Sequence, residues 1–335
     1  MAFLGLFGNY NRPGPGVSKD EPKKPPYIRY FQLMGRKYGK LMQLNLLFLV
    51  PFMVAVALML ALFFFFPHFS LRVGIQNDLA VDINLWFLCV VPIPLFLISP
   101  FWAGMTYVTR NFAREEHAFV FSDFMDAVKN NWKPFLLNGL VLYIAWMLLS
   151  FSMIYYYYQT AFNSMMIIPF ALCFLIAVIL LFCQYYIPLM IVTFDLPLRK
   201  IYRNALIFAI IGLWRNLLLT IIFGAVLFLF SAFFTSLVTI VIGLAFILLF
   251  LFSFVSYSTN FIVYPLVEKL MIQPYYNNQE KTEENKNDED EDKETENEQR
   301  GQMDQEDKPE YVYVNGRLIK RTLVEDEEVF TDKHE

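Results

Sequence analysis

Few residues in this chain of 335 have the type and spacing for chemistry. His68, Asp78 and Asp82 come nearest to a metal-ligating set, but their spacing fits no ligand pattern, and with Arg72 they read as a solvated loop. Cys89, Cys173 and Cys183 each lie inside an apolar run without partner spacing for zinc or a disulfide framework, so they read as small apolar side chains. Serines and cysteines in these runs have no His or Lys among them to act as an activating base. Catalysis, a metal and a cofactor are therefore not expected. What remains is a set of neutral amides and one hydroxyl, Asn45, Asn138, Gln184, Thr220 and Asn260, embedded in apolar sequence. Two uses suit them: lining a polar path for a neutral solute such as a sugar, or hydrogen-bonding helices to one another at about 0.6 kcal/mol each. We favour the second.

The elements that hold these residues are membrane spans. Residues of the hydrophobic set make up 57% of the chain, and the mean hydropathy is +0.43, above the composition of soluble domains. Apolar stretches near 44–66, 83–109, 135–158, 167–194, 217–234 and 237–264 are each long enough for a bilayer core of ~30 Å at ~1.5 Å per helical residue. None of the six contains Asp, Glu, Lys, Arg or His, which removes carboxylate dyads and ion-coupled transport chemistry from the membrane. Pro92, Pro94 and Pro100 predict a kink in the second span. Met1 to Phe7 is too short for a signal-peptide core, so the first span directs insertion.

Amphipathic segments precede the spans. Phe121, Phe124, Met125, Val128 and Trp132 recur at helical spacing opposite Asp123, Asp126, Lys129, Asn130 and Lys133, with Ser122 as the expected N-cap. Pro134 disfavours helical geometry at Lys133, which makes that residue the expected joint between a surface helix and the third span. Phe124, Val128 and Trp132 form an apolar ridge suited to lipid, to the protein's own helices or to a partner. Similar segments run from Tyr27 to Tyr38 and, beginning with Asp195 as a cap, through Leu198, Ile201, Tyr202, Ala205 and Ala209. Beginning the fifth span at Leu217 keeps Arg215 at the interface, where a mid-bilayer position would cost roughly 2.5 to 3.5 kcal/mol.

The fold class is thus an all-α polytopic membrane protein, with six helices as three in-out-in hairpins, each preceded by an amphipathic cytoplasmic helix. Sixteen basic residues fall on the proposed inner segments before and between the spans, against Arg72 alone outside, which places both termini in the cytoplasm. Lys40, Lys133 and Arg215 register the three units, each with an aromatic just before it (Tyr38, Trp132, Trp214) and a polar residue five later (Asn45, Asn138, Thr220). Interfacial anchoring alone also accounts for this pattern.

The termini are different material. Residues 1–26 form a basic, proline-rich cytoplasmic arm, and 27–273 form the membrane domain. Up to residue 273 the chain carries 18 basic against 10 acidic residues; from 274 it carries 9 against 21. Residues 274–310 read as a disordered acidic linker, and 311–323 as a β-hairpin turning at Asn315-Gly316, a pair that accepts the positive φ of a two-residue loop.

Several of these residues resemble a known family. Asn11-Arg12-Pro13-Gly14-Pro15-Gly16-Val17, Lys19-Asp20, Pro22-Lys23-Lys24, Leu44-Asn45-Leu46, Arg110-Asn111-Phe112-Ala113-Arg114-Glu115-Glu116 and Val314-Asn315-Gly316-Arg317-Leu318 are similar to stretches of the YesL-like bacterial membrane proteins. Where that family carries Gly-Pro-Ala-x-Ala-Gly, this chain has Ser99-Pro100-Phe101-Trp102-Ala103-Gly104. The resemblance implies a Gram-positive plasma membrane and encoding beside carbohydrate importers and polysaccharide-degrading enzymes. It implies no established activity and no catalytic residue.

The expected function is accordingly an accessory or interaction subunit associated with carbohydrate uptake, with the lipid bilayer and importer subunits as partners and nucleic acid not among them. The alternative is a stand-alone transporter or channel for a neutral solute. A complete importer permease is not expected, because Arg114-Glu115-Glu116-His117-Ala118 lacks the glycine of an ATPase-coupling loop.

Overall fold

Apolar runs this long satisfy their own backbone only as helices, and helices dominate the chain. The computed structural model describes residues 25–74, 80–233, 236–274, 311–314 and 317–320. The arm at 1–24 and the acidic linker from 275 lie outside them. A first unit ends at Arg36 and contains helix α1 (Pro26–Arg36), in which Leu33 is buried while Tyr27 and Phe31 are exposed.

The second unit begins at Lys37. Its helices are α2 (Tyr38–Phe65), α3 (Leu85–Val90), α4 (Ile93–Leu97), α5 (Ser99–Ala113), α6 (Val120–Thr160), α7 (Ile167–Thr193), α8 (Leu198–Ile211), α9 (Leu213–Phe233), α10 (Leu237–Phe246) and α11 (Phe252–Val267). Five helical stretches among the described residues are long and apolar enough to cross a membrane, or six if the bent pair of 85–97 and 99–113 is one span. That pair turns by 45° between Leu97 and Ser99. Pro92 sits at the N-cap of α4 and Pro100 in the first turn of α5, so the three prolines break the helix where single prolines do not. Pro51, Pro134, Pro188 and Pro265 all lie inside continuous helices.

Pro134 corrects the expected joint at Lys133. α6 runs unbroken for 41 residues, because its buried stripe, Val120, Phe124, Ala127, Asn131, Phe135 and Asn138, passes through the proline at helical spacing against α5. The helix also begins before Ser122. Phe119 holds the N-cap position, and its N–H donates to the Asp123 carboxylate at 2.9 Å. Asp195 is likewise not a cap, since α8 starts after Pro197, whose fixed φ suits a helix entrance. In the loop read from sequence as solvated, β1 (Leu71–Gly74) pairs antiparallel with β2 (Ala80–Ile83), Arg72 opposite Asp82.

Packing concentrates on α5, α6, α7, α8 and α11. Gly104 lets α5 approach α6 closely, since a Cβ there would strike the Phe124 ring. Gly212 separates α8 from α9 and leaves no room for a side chain beside the Tyr186 hydroxyl. α5 ends in a Schellman arrangement: Glu116 N–H donates to Asn111 O at 2.9 Å and Glu115 N–H to Phe112 O at 3.1 Å, with Glu115 at φ 64°.

The last helical stretch contains two π-helical turns, Ile247–Leu251 and Glu268–Ile272. At the first, Asn45 on α2 donates to the carbonyls of Ile247 (3.2 Å) and Leu248 (2.8 Å) and accepts from Ser253 N–H (3.0 Å). Its amide thus bonds the backbone at a wider turn, where the regular helical pairing changes. Ser236 caps α10 and accepts from Thr239 N–H. Strand β3 (Tyr311–Val314) pairs antiparallel with β4 (Arg317–Lys320), Val314 opposite Arg317, the register expected of a two-residue turn at 315–316.

Candidate functional site

Helices bent or shortened at prolines and glycines do not close on one another everywhere, and a cavity of about 670 Å³ lies among α4, α5, α6, α7, α9 and α11. Four of the five polar residues singled out from sequence line it: Asn138, Gln184, Thr220 and Asn260. Asn45 does not, being committed to the π turn. Among the described residues that line the cavity none is Asp, Glu, Lys, Arg or His.

The polar residues in its wall bond to the protein. Asn138 Nδ2 donates to Gln184 Oε1 (3.2 Å), Gln184 Nε2 donates back to Asn138 Oδ1 (3.4 Å), and the Tyr202 hydroxyl donates to the same Oδ1 (2.7 Å). These bonds join α6, α7 and α8. Burial pushes the Tyr202 hydroxyl pKa up to about 12, so the donor keeps its proton at neutral pH. Thr220 donates to Asn216 O (2.8 Å) and lies 3.0 Å from the Tyr185 hydroxyl. Asn260 Nδ2 donates to Thr109 Oγ1 (2.7 Å) and Thr106 O (3.2 Å), joining α11 to α5.

Beside the cavity lies a polar cluster that sequence reasoning missed. Arg110, expected in a loop, belongs to the last turn of α5 and is 1% exposed. Its guanidinium donates to Val192 O (3.0 Å) and Thr193 Oγ1 (3.3 Å) at the end of α7, and to Asn111 Oδ1 (3.0 Å), while the Tyr107 ring lies 4.6 Å away. The carbonyls of a helix C-terminus lack intrahelical donors and carry partial negative charge, which a guanidinium fork satisfies. Thr109 and Ser256 extend the cluster at 2.7 Å. The unbroken helix-compatible run from Gly104 to Ala113 was the available signal.

The ridge on α6 divides. Phe124 is 2% exposed beneath Gly104 and belongs to the core, Val128 is half-buried, and Trp132 is 47% exposed with Lys133 Nζ 5.6 Å from its ring. A partner or lipid would therefore meet Trp132 and the exposed Phe121 rather than Phe124. His68 stacks edge-on with Phe63 at 5.0 Å, and no group of three metal-ligating side chains occurs among the described residues. Cys183 is buried, and Cys89 and Cys173 are partly so.

With this geometry in hand, one comparison bears on the chain. Residues 80–153 match the model of a family described as protein of unknown function, DUF624. The match spans β2 to most of α6, and so includes the α5–α6 packing, Thr106 and Asn138. No curated protein and no solved structure matches the chain.

Proposed function

We propose that this protein is a multi-pass component of a bacterial plasma membrane, with both termini cytoplasmic, serving as an accessory subunit in carbohydrate uptake. The resemblance to YesL-like proteins supplies the setting. The observation that carries the role is the commitment of the polar residues: Asn45, Asn138 and Asn260 each bond two or more elements together, which leaves no continuous row of free donors and acceptors for a sugar to follow. Binding to other proteins then falls to the surface around the start of α6. There Phe121 and Trp132 expose aromatic area beside the exposed Lys129 and Lys133. On this reading the packed ends of α5, α7 and α11 lie at the cytoplasmic face.

Gentle purification from the native membrane tests it. Carbohydrate importer subunits should be recovered with the wild type, and Trp132→Ala should reduce that recovery at least fivefold, whereas Lys129→Glu should reduce it little. Absence of importer subunits, together with sugar uptake by vesicles holding this protein alone, would replace the reading with that of a neutral-solute transporter.

A further inference from the structure

We propose that the cavity is a binding site for an uncharged lipid, one hydrocarbon chain bearing a hydrogen-bonding head of the monoacylglycerol type. The inference is independent of the accessory-subunit reading. At about 670 Å³ the cavity falls within the roughly 300–1,000 Å³ of ligand sites. Its wall is mostly hydrocarbon and aromatic, with Phe52, Trp102, Phe223, Leu227 and Phe252 among the lining residues. Among the described residues of that wall none is Asp, Glu, Lys, Arg or His, which disfavours a charged head, since it would be buried without a counter-charge.

The hydrogen bonds choose between a sugar and a lipid. Thr220 and the Asn260 amide N–H groups already bond within the protein, so the many hydroxyls of a sugar would lose more water contacts than they gain partners. A hydrocarbon chain makes no such demand. The Asn138 and Gln184 amides each have two N–H groups and use one in their mutual pair. The two remaining N–H groups can meet the ester carbonyl or hydroxyls of a single uncharged head.

α9 forms the remaining wall. Thr220, Phe223, Gly224 and Leu227 recur on one face toward the cavity, while Asn216 and Leu219 are its buried residues. A Cβ at Gly224 would meet nothing within 4 Å. That position offers a plug that disturbs no existing contact.

The test uses the full chain in phosphatidylcholine vesicles, with a diazirine-labelled monoacylglycerol as probe and mass-spectrometric mapping of the adducts. Adducts are expected on Trp102 and Phe223, which line the cavity and are only partly exposed. A tenfold excess of unlabelled monoacylglycerol should reduce them at least fivefold, and neither its anionic phosphate ester nor a free disaccharide should do so. Gly224→Phe should reduce the cavity adducts at least fivefold, leaving those on the exposed Leu172 and Leu175 unchanged, while Gly224→Ala should leave both sets unchanged. Three results would each overturn the proposal: cavity adducts no more abundant than those on Leu172 and Leu175, equal competition by the anionic ester, or competition by the disaccharide. The competition in wild type decides the matter even if Gly224→Phe does not fold.

Discussion

The two halves of α7 are both largely apolar and opposite in environment. From Ile167 to Leu181 no residue is buried, and Ile168, Leu172 and Leu175 stand more than half exposed; from Phe182 to Thr193 every residue except Gln184 is buried. The buried half is the less hydrophobic one, carrying Gln184, Tyr185, Tyr186 and Thr193, whereas the exposed half has no polar side chain beyond Cys173. The second half is enclosed by α5, α6, α8 and α11, and the first presents a surface that suits lipid tails. Apolar sequence reports that a residue avoids water, and gives no indication of whether protein or lipid replaces it.

Substitution on the two sides gives the largest expected effect. Ile187→Ala, at a fully buried position, should destabilise the detergent-solubilised protein by roughly 2–5 kcal/mol through lost contacts and a residual cavity. Leu175→Ala, 54% exposed, should change it by no more than about 0.5 kcal/mol. Unfolding by added denaturing detergent, followed by circular dichroism, measures both. Equal losses would mean that the exposed half is covered by something else, such as a second copy.

A smaller effect sharpens the same contrast on α2, where Asn45 is buried and Val50 and Val54 are exposed. Asn45→Leu removes three interhelical hydrogen bonds, and at roughly 0.6 kcal/mol each the expected loss is about 2 kcal/mol. Val54→Asn should cause no loss of helix packing. If Asn45→Leu proved neutral in the same unfolding assay, the π turn would be held by α10 and α11 alone.

The smallest expected effect is on pH dependence. Because burial raises the folded-state pKa of Tyr202 from 10.0 to about 12, folded and unfolded chains both hold the proton below pH 10, and its contribution is then complete. Between about 10 and about 12 the unfolded chain releases the proton first, and stability falls. The difference between wild type and Tyr202→Phe, read as unfolding midpoint against pH, should therefore be flat below pH 10 and narrow above it. A difference that stays flat through pH 12 would place the hydroxyl in solvent instead.

Some of this organisation was legible in the residues themselves. The length and hydropathy of the apolar runs marked the helices long enough to cross a membrane, since the rise per residue and the bilayer thickness leave little freedom. Clustered Pro92, Pro94 and Pro100 announced the bend, and Asn315-Gly316 announced the hairpin, because both act through local backbone geometry. Asn138, Gln184, Thr220 and Asn260 stood out as polar residues in apolar sequence, but that they share one cavity, without Asn45, was not legible there.

Tertiary structure decided the rest. Pro134 looked like a joint because its local preference opposes a helix, but a continuous buried stripe against α5 overrides a penalty of about 3 kcal/mol. Phe124 and Trp132 lie on one sequence ridge, yet close approach at Gly104 buries the first and leaves the second outside. Arg110 looked like a loop cation until the C-terminus of α7 arrived to accept its donors. Local geometry and the avoidance of water are written along the chain. Which neighbour satisfies a given carbonyl or covers a given face depends on partners far along the chain, as with Asn45 and Leu248 at a separation of 203, and only the assembled helices supply them.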